Sequence, residues 1–184
     1  MKRCDWAKGS KLYIDYHDKE WGVPVHDDKI HFEFLVLESM QAGLSWITIL
    51  KKRENFRLAF DNFDYKKIAK YDEEKIEELL NNEGIIRYRR KIEAAINNAN
   101  KFIEIQNEFG SFDEYIWDFT GNKVVINHYE DINEVPSKSY LSDKISKDLK
   151  KRGFKFLGSV TIYSYLQAVG IIDDHIDSCF RKNS

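Results

Sequence analysis

The chain has 184 residues, a formal net charge of -2, 42% hydrophobic and 33% charged residues. That length supports a sizeable core without help from metals or disulfides. No apolar run is long enough to span a membrane, and the opening MKRCDWAKGS lacks the apolar stretch of a signal peptide. A membrane partner is therefore not expected, and a cytoplasmic location is.

Capping and periodicity predict a helical chain. Asp28 or an adjacent residue caps a helix through Ile30, Phe34, Leu35, Leu37, Glu38 and Met40, closed by Gly43 in a left-handed conformation. Ser45 begins a second helix carrying Trp46, Ile49 and Leu50. Asp72 caps a third, with Ile76, Leu79 and Leu80 on one face, broken at Asn81-Asn82-Glu83-Gly84. A long helix runs from about Tyr88 to Gly110 with Ile92, Ala95, Ile96, Ala99 and Ile103 in a stripe. Ser111 and Glu114 form a capping-box pattern before Tyr115 and Trp117. Periodicity fails over residues 121–136, a loop with at most a short extended piece at Val124 to Ile126. Ser142 to Arg152 is helical again, and Ser159 caps a last helix running to Gly170. With 2 prolines, no Ser/Gly-rich linker and no internal repeat, residues 1–184 offer no clean domain cut.

The two cysteines lie near the two ends, each near a histidine: Cys4-x12-His17 and His175-x3-Cys179. Thiolate and imidazole suit a tetrahedral zinc, and the i, i+4 spacing of His175 and Cys179 would place both on one helix face. Spacing alone leaves three readings open: a zinc site, a Cys4 to Cys179 disulfide, and chance. A reducing cytoplasm disfavours the disulfide.

The acids and bases are not spread evenly. Basic clusters stand at Lys51-Lys52-Arg53, at Arg87 to Lys91, and from Lys147 to Lys155. Each alone reads as a solvated helix face. Together they keep a phosphate-bearing partner in play, because phosphate binding needs a local positive surface and not a basic protein. In LLNNEGIIRYRRK, from Leu79 to Lys91, a helix ends, a glycine turn follows and a basic helix begins. Backbone N–H groups of such a helix-hairpin-helix, here near residues 72–109, can grip a DNA phosphate at Gly84 with Arg87 beside it. Most glycine turns between helices bind nothing.

Aromatic residues concentrate early: Trp6, Tyr13, Tyr16, Trp21 and Trp46. Glu38 sits among residues that otherwise face a core. Singly, each has an ordinary packing or surface explanation. As a group, stacked rings with one buried acid suit a flat cationic guest such as an alkylated purine.

Over nearly its whole length the chain resembles the type I 3-methyladenine DNA glycosylases, constitutive bacterial alkylation-repair enzymes of the helix-hairpin-helix superfamily. The runs that carry the likeness are Cys4-x-Trp6, Tyr13-Ile14-x-Tyr16-His17-Asp18-x2-Trp21-Gly22-Val23-Pro24, and Leu37-Glu38-x2-Gln41-Ala42-Gly43-Leu44-Ser45-Trp46. Further runs are Leu50 to Arg53, Gly84 to Arg87, Lys150 to Phe156, and His175-x3-Cys179. The resemblance implies an all-α fold with one structural zinc held by Cys4, His17, His175 and Cys179. That zinc would clasp residues 1–25 to residues 160–184. It assigns Glu38 and Tyr16 as the polar catalytic pair, and Trp46, Trp6, Tyr13 and Trp21 to the walls of a base pocket. Gly84 and Arg87 fall in the DNA-anchoring hairpin, and Leu44 is the candidate wedge into the base stack.

The activity so implied is extrusion of 3-methyladenine from double-stranded DNA and hydrolysis of its N-glycosyl bond, leaving an abasic site without strand cleavage; a monomer is the expected state of a protein that scans DNA. A different class of reading, a non-catalytic zinc-containing module that senses alkylated bases, fits the same motifs. A catalytic zinc fits less well, because four protein ligands leave no open position for water.

Overall fold

The computed structural model describes residues 1–182. Nine α-helices, connected by short 3-10 turns, make up nearly all the regular structure among them: α1 (Lys11–Lys19), α2 (Asp28–Gln41), α3 (Trp46–Ala59), α4 (Tyr65–Ile68), α5 (Glu73–Leu80), α6 (Arg89–Phe109), α7 (Phe112–Asp118), α8 (Tyr140–Lys151) and α9 (Ser159–Ala168). One parallel pair of two-residue strands, β1 (Val125–Ile126) and β2 (Ile172–Asp173), ties the loop after α7 to the segment after α9. Among the described residues no helix is long and apolar enough to cross a membrane.

Helix ends are set by local chemistry. Asp27, Asp72, Ser111 and Ser139 each accept a hydrogen bond from a first-turn N–H, satisfying donors that a helix start leaves free. Two predicted starts are corrected. The helix expected from Ser142 begins at Tyr140, because Ser139 and Ser142 cap each other reciprocally. Ser159 does not cap α9; Gly158 holds that position, and the Ser159 hydroxyl instead meets that of Ser142 at 2.8 Å.

α2 is the central element. It packs against α3, α6, α7 and α9, and every residue from His31 to Met40 is buried. On α6 the buried stripe is Ile92, Ala95, Ala99, Phe102 and Ile105, with Ile96 and Ile103 at its half-buried margin. Phe102 stacks on Phe112 with ring centres 4.3 Å apart, so α7 closes over α6 through aromatic contact. Several polar side chains of this core are partnered. His31 shares hydrogen bonds with the Tyr165 hydroxyl at 2.6 Å and Asp113 at 2.9 Å, linking α2, α9 and α7.

The segment after α9 differs from the sequence expectation. Gly170 (φ +70°) stops the helix, β2 and a turn follow, and His175 and Cys179 therefore do not share a helix face. Their four-residue spacing matches a helical turn only by coincidence.

Candidate functional site

Burial of α2 from His31 to Met40 makes the two acids within that stretch, Glu33 and Glu38, informative. Glu33 is neutralised: Arg53 Nε donates to it at 2.6 Å and Arg57 at 2.8 Å, while Arg53 also reaches Glu20 at 2.7 Å and lies over the Phe34 ring. Glu38 lies one and a half turns further along and is 5% exposed, with neither a cation nor a hydrogen-bond donor on its carboxylate among the described residues. Burial alone pushes its carboxyl up to about 8. An unneutralised acid in a core is costly unless something else meets it.

Glu38 opens on a cavity of about 500 Å³ lined by Trp6, Tyr13, Tyr16, Trp21 and Trp46 from the first quarter of the chain. The structure thus brings together all six residues that the sequence singled out for the pocket. Tyr16 is buried on α1 and tilts against Trp46 with ring centres 5.7 Å apart. Burial, then the Glu38 and Glu20 carboxylates, raise its hydroxyl well above the ordinary value, so it stays a neutral donor. Trp46 opens α3, and its buried indole N–H has no hydrogen-bond acceptor; its approach to Tyr16 stops short of hydrogen-bond geometry. Tyr13 fixes that helix end, since its hydroxyl accepts the Ile47 N–H at 3.0 Å. Trp6 meets Tyr13 and Trp21 edge-on at 5.6 and 5.0 Å. The pocket therefore has an aromatic lining, an acid and two unspent donors.

The opposite wall comes from Val160, Tyr163, Ser164 and Gln167 on α9 and from Ile132, Val135, Pro136 and Ser137 in the preceding loop, with Gln41 at the end of α2. None of these residues is among the pocket residues expected from sequence. Gln41 lies inside the QAGLSW run and could have been noticed. Ser164 and Gln167 look like ordinary polar helix positions, and only the packing of α9 on α2 turns them toward Glu38's cavity.

Beside the aromatic wall lies a cluster of Cys and His. Ligand atoms of Cys4, His17 and Cys179 lie within 4.8 Å of one another, and all three residues are buried. Cys179 Sγ is 3.5 Å from His17 Nε2. His175 stands at the edge of this group: its ring centre is 5.0 Å from that of His17, and its buried Nε2 has no partner. Each histidine is oriented by a carboxylate, His17 Nδ1 by Asp18 and His175 Nδ1 by Asp173, both at 2.8 Å, which leaves Nε2 as the free donor atom. Burial and the adjacent Cys179 push the Cys4 thiol up, a state that a bound cation would reverse. Two thiols, an oriented imidazole and an orphaned second imidazole nitrogen fit a tetrahedral metal. Trp21 connects this cluster to the pocket, with its ring 4.6 Å from His175. Gly22 makes that approach possible, because a Cβ there would lie 2.7 Å from His175 Cε1.

The candidate DNA-facing residues lie on the surface. Leu44 is 40% exposed in the turn between α2 and α3, after Gly43 (φ +80°). Residues 81–88 join α5 to α6; the Gly84 N–H donates to Asn82 Oδ1 at 2.8 Å, and a Cβ on Gly84 would crowd Asn55 at 3.0 Å. Lys52 braces the turn through the Glu83 carbonyl at 3.0 Å. Arg87 and Arg90 are exposed, whereas Arg89 is held by Glu73 and Glu77.

Comparison with known proteins agrees with this geometry. The family model for methyladenine glycosylases matches residues 6–182. The chain is similar to the DNA-3-methyladenine glycosylase of Haemophilus influenzae, 46% identical over 99% of this chain and 98% of that protein. It is equally similar to DNA-3-methyladenine glycosylase 1 of Escherichia coli, 46% identical over 97% of this chain and 96% of that protein. A solved structure of 3-methyladenine DNA glycosylase I from Staphylococcus aureus, concerned with 3-methyladenine recognition, superposes with a TM-score of 0.95 at 38% identity, covering 100% of this chain and 98% of the other. With these matches spanning almost every residue, the chain belongs to the methyladenine glycosylase family.

Proposed function

We propose that this protein is a monofunctional DNA repair glycosylase that draws a 3-methyladenine nucleotide out of a duplex and hydrolyses its N-glycosyl bond. The product is free 3-methyladenine and an abasic site in an uncut strand. The observation that carries the reading is Glu38: a buried, unneutralised acid at the floor of an aromatic cavity, in a helix whose other buried acid, Glu33, is paired. The family relatives act, by name, on the same lesion.

The chemistry asked of the protein is small. Alkylation at ring nitrogen 3 makes the purine cationic and weakens its glycosidic bond, so the base leaves as a neutral molecule when the bond electrons return to the ring. No general acid is needed for that departure, and among the described residues no lysine lines the cavity. What the protein must do is extrude the nucleotide, select the cation and admit water. The aromatic rings attract a flat cation, and Glu38 becomes ionised when that cation arrives. Glu38 then accepts hydrogen bonds from the amino edge of the base, while Tyr16 and the Trp46 N–H serve as donors. Neutral adenine gains neither the cation–π contact nor the ion pair, and this difference rejects it. Leu44 fills the gap in the base stack, and the Gly84 turn with Arg87 grips the backbone.

One zinc bound by Cys4, His17, Cys179 and His175 would supply a structural cross-link between the chain ends, with no role in the hydrolysis. The reading is supported by the donor set and by the orphaned His175 Nε2. Its effect on activity is indirect, through Trp21 and Trp6, which pack on the two histidines. The protein acts as a cytoplasmic monomer.

Titration with a permanently cationic adenine alkylated at ring nitrogens 3 and 9, followed by tryptophan fluorescence, tests the pocket. One molecule per chain quenches the signal, and adenine does not compete at comparable concentration. Quenching equal for both bases would remove the selectivity argument. Binding without any base release from DNA would favour the sensing module over the enzyme.

A further inference from the structure

Helix α6 holds three surface segments in a row. It starts directly after the hairpin turn of residues 81–88. Lys91, buried near its first turn, donates to the Met40 carbonyl at 3.1 Å and reaches that of Ala42 at 3.5 Å, fixing the chain that leads into Leu44. Further along, Asn97 donates to the Gly153 carbonyl at 2.8 Å. Asn98 then grips both backbone groups of Lys155, donating to its carbonyl and accepting its N–H, each at 2.8 Å. Hairpin, wedge loop and the connection between α8 and α9 are thus fastened to one rod.

That third segment is built to display two side chains. Phe154 and Leu157 are buried anchors, and Ser146 donates to the Leu157 carbonyl at 2.8 Å. Between the anchors Lys155 and Phe156 are exposed, and Phe156 sits at φ +58°, a conformation that bulky residues seldom adopt. A strained, doubly pinned loop that presents an aromatic ring to solvent calls for a reason outside its own packing. The surroundings are electropositive: Lys147, Lys150, Lys151 and Lys155 are exposed and have no ion-pair partner among the described residues, whereas Arg152 is paired with Asp148 and Glu108. The segment runs straight into Val160, which is 54% exposed and lines the mouth of the base cavity.

We propose that residues 153–160 are a second contact for duplex DNA, in which Lys155 takes a backbone phosphate and Phe156 packs against the neighbouring nucleotide. The proposal rests on the glycosylase reading above and adds a grip that the hairpin alone does not provide. From Tyr88 to Asn98 the axis of α6 covers about 15 Å, roughly four base-pair rises of duplex. A separation of that order suits two backbone phosphates a few nucleotides apart.

Duplex binding measured across a salt series, with a stable abasic analogue in place of the lesion, tests it. Wild type is compared with Lys155→Ala, Phe156→Gly and, as a control at the far end of α2, Lys29→Ala. Lys155→Ala is expected to lower the slope of log affinity against log salt by about one. Phe156→Gly is expected to bind the duplex about tenfold more weakly yet melt at or above the wild-type temperature, because glycine relieves the positive φ. Both should bind free 3-methyladenine like wild type, and Lys29→Ala should change nothing. Unchanged slope and affinity in both variants would overturn the proposal, as would a Phe156→Gly protein whose affinity and melting temperature fall together. Failure of the wild type to bind the duplex would instead bring down the glycosylase reading itself.

Discussion

Replacing Glu38 by Gln isolates the electrostatic design of the pocket. Burial raises the Glu38 carboxyl from 4.5 to about 8, so the folded protein holds a proton that the unfolded chain releases over that window. The direction follows from linkage: the folded state binds more protons than the unfolded one, so stability falls as pH rises from 4.5 and levels off above 8. At 1.36 kcal/mol per pH unit the full penalty is about 5 kcal/mol, and at pH 7 about 3 kcal/mol. Glutamine never ionises and escapes this penalty. Urea unfolding of both proteins at pH 5 and pH 9 reads the difference directly, and titrations common to both, including those of the Cys/His cluster, cancel. The advantage of Glu38→Gln over wild type should grow by roughly 4 kcal/mol between those two pH values. The same proton governs binding of a permanently cationic purine analogue. Wild-type affinity should rise about tenfold per pH unit up to pH 8, since Glu38 must lose its proton to pair with the cation. The variant should show a flat profile. A stability gap independent of pH, or identical binding profiles, would refute the claim that Glu38 is an unneutralised acid awaiting a cation.

Cys179→Ser should abolish stoichiometric zinc, read by elemental analysis of the purified protein, and lower the melting temperature; a variant that keeps one zinc per chain would remove Cys179 from the ligand set. Leu44→Ala should slow excision from duplex DNA while leaving affinity for the free base unchanged, because Leu44 is absent from the cavity lining; a parallel loss of free-base binding would place it in the pocket instead. Arg53→Ala should cost about 3 kcal/mol by removing the more buried of the two cations on Glu33, measured by denaturant unfolding, and a loss below about 1 kcal/mol would mean that Arg57 alone suffices.

What the sequence disclosed follows from which interactions are local. The ends of α2, α5, α6 and α7 are legible because their caps lie within a few residues of the helix: Asp27, Asp72, Gly110 and Ser111 each act on the adjacent turn. The aromatic cluster with Glu38 is legible because its members fall within one quarter of the chain. Other features depend on contacts far apart in sequence. α1 is not announced by periodicity, since only Tyr16 and His17 of its nine residues are buried. The α9 wall of the cavity carries no signal of its own, and Ser164 acquires its place only when α9 docks on α2. The i, i+4 spacing of His175 and Cys179 misled for the converse reason. A helical pattern can occur where Gly170 and a strand pairing to β1 have already ended the helix.

The most direct test of the central claim is the release of free base from methylated duplex DNA, resolved by chromatography and set against the spontaneous rate. Catalytic amounts of protein should release 3-methyladenine, leave normal adenine in place, and yield abasic sites in uncut strands. No release above the spontaneous rate by folded protein would contradict it.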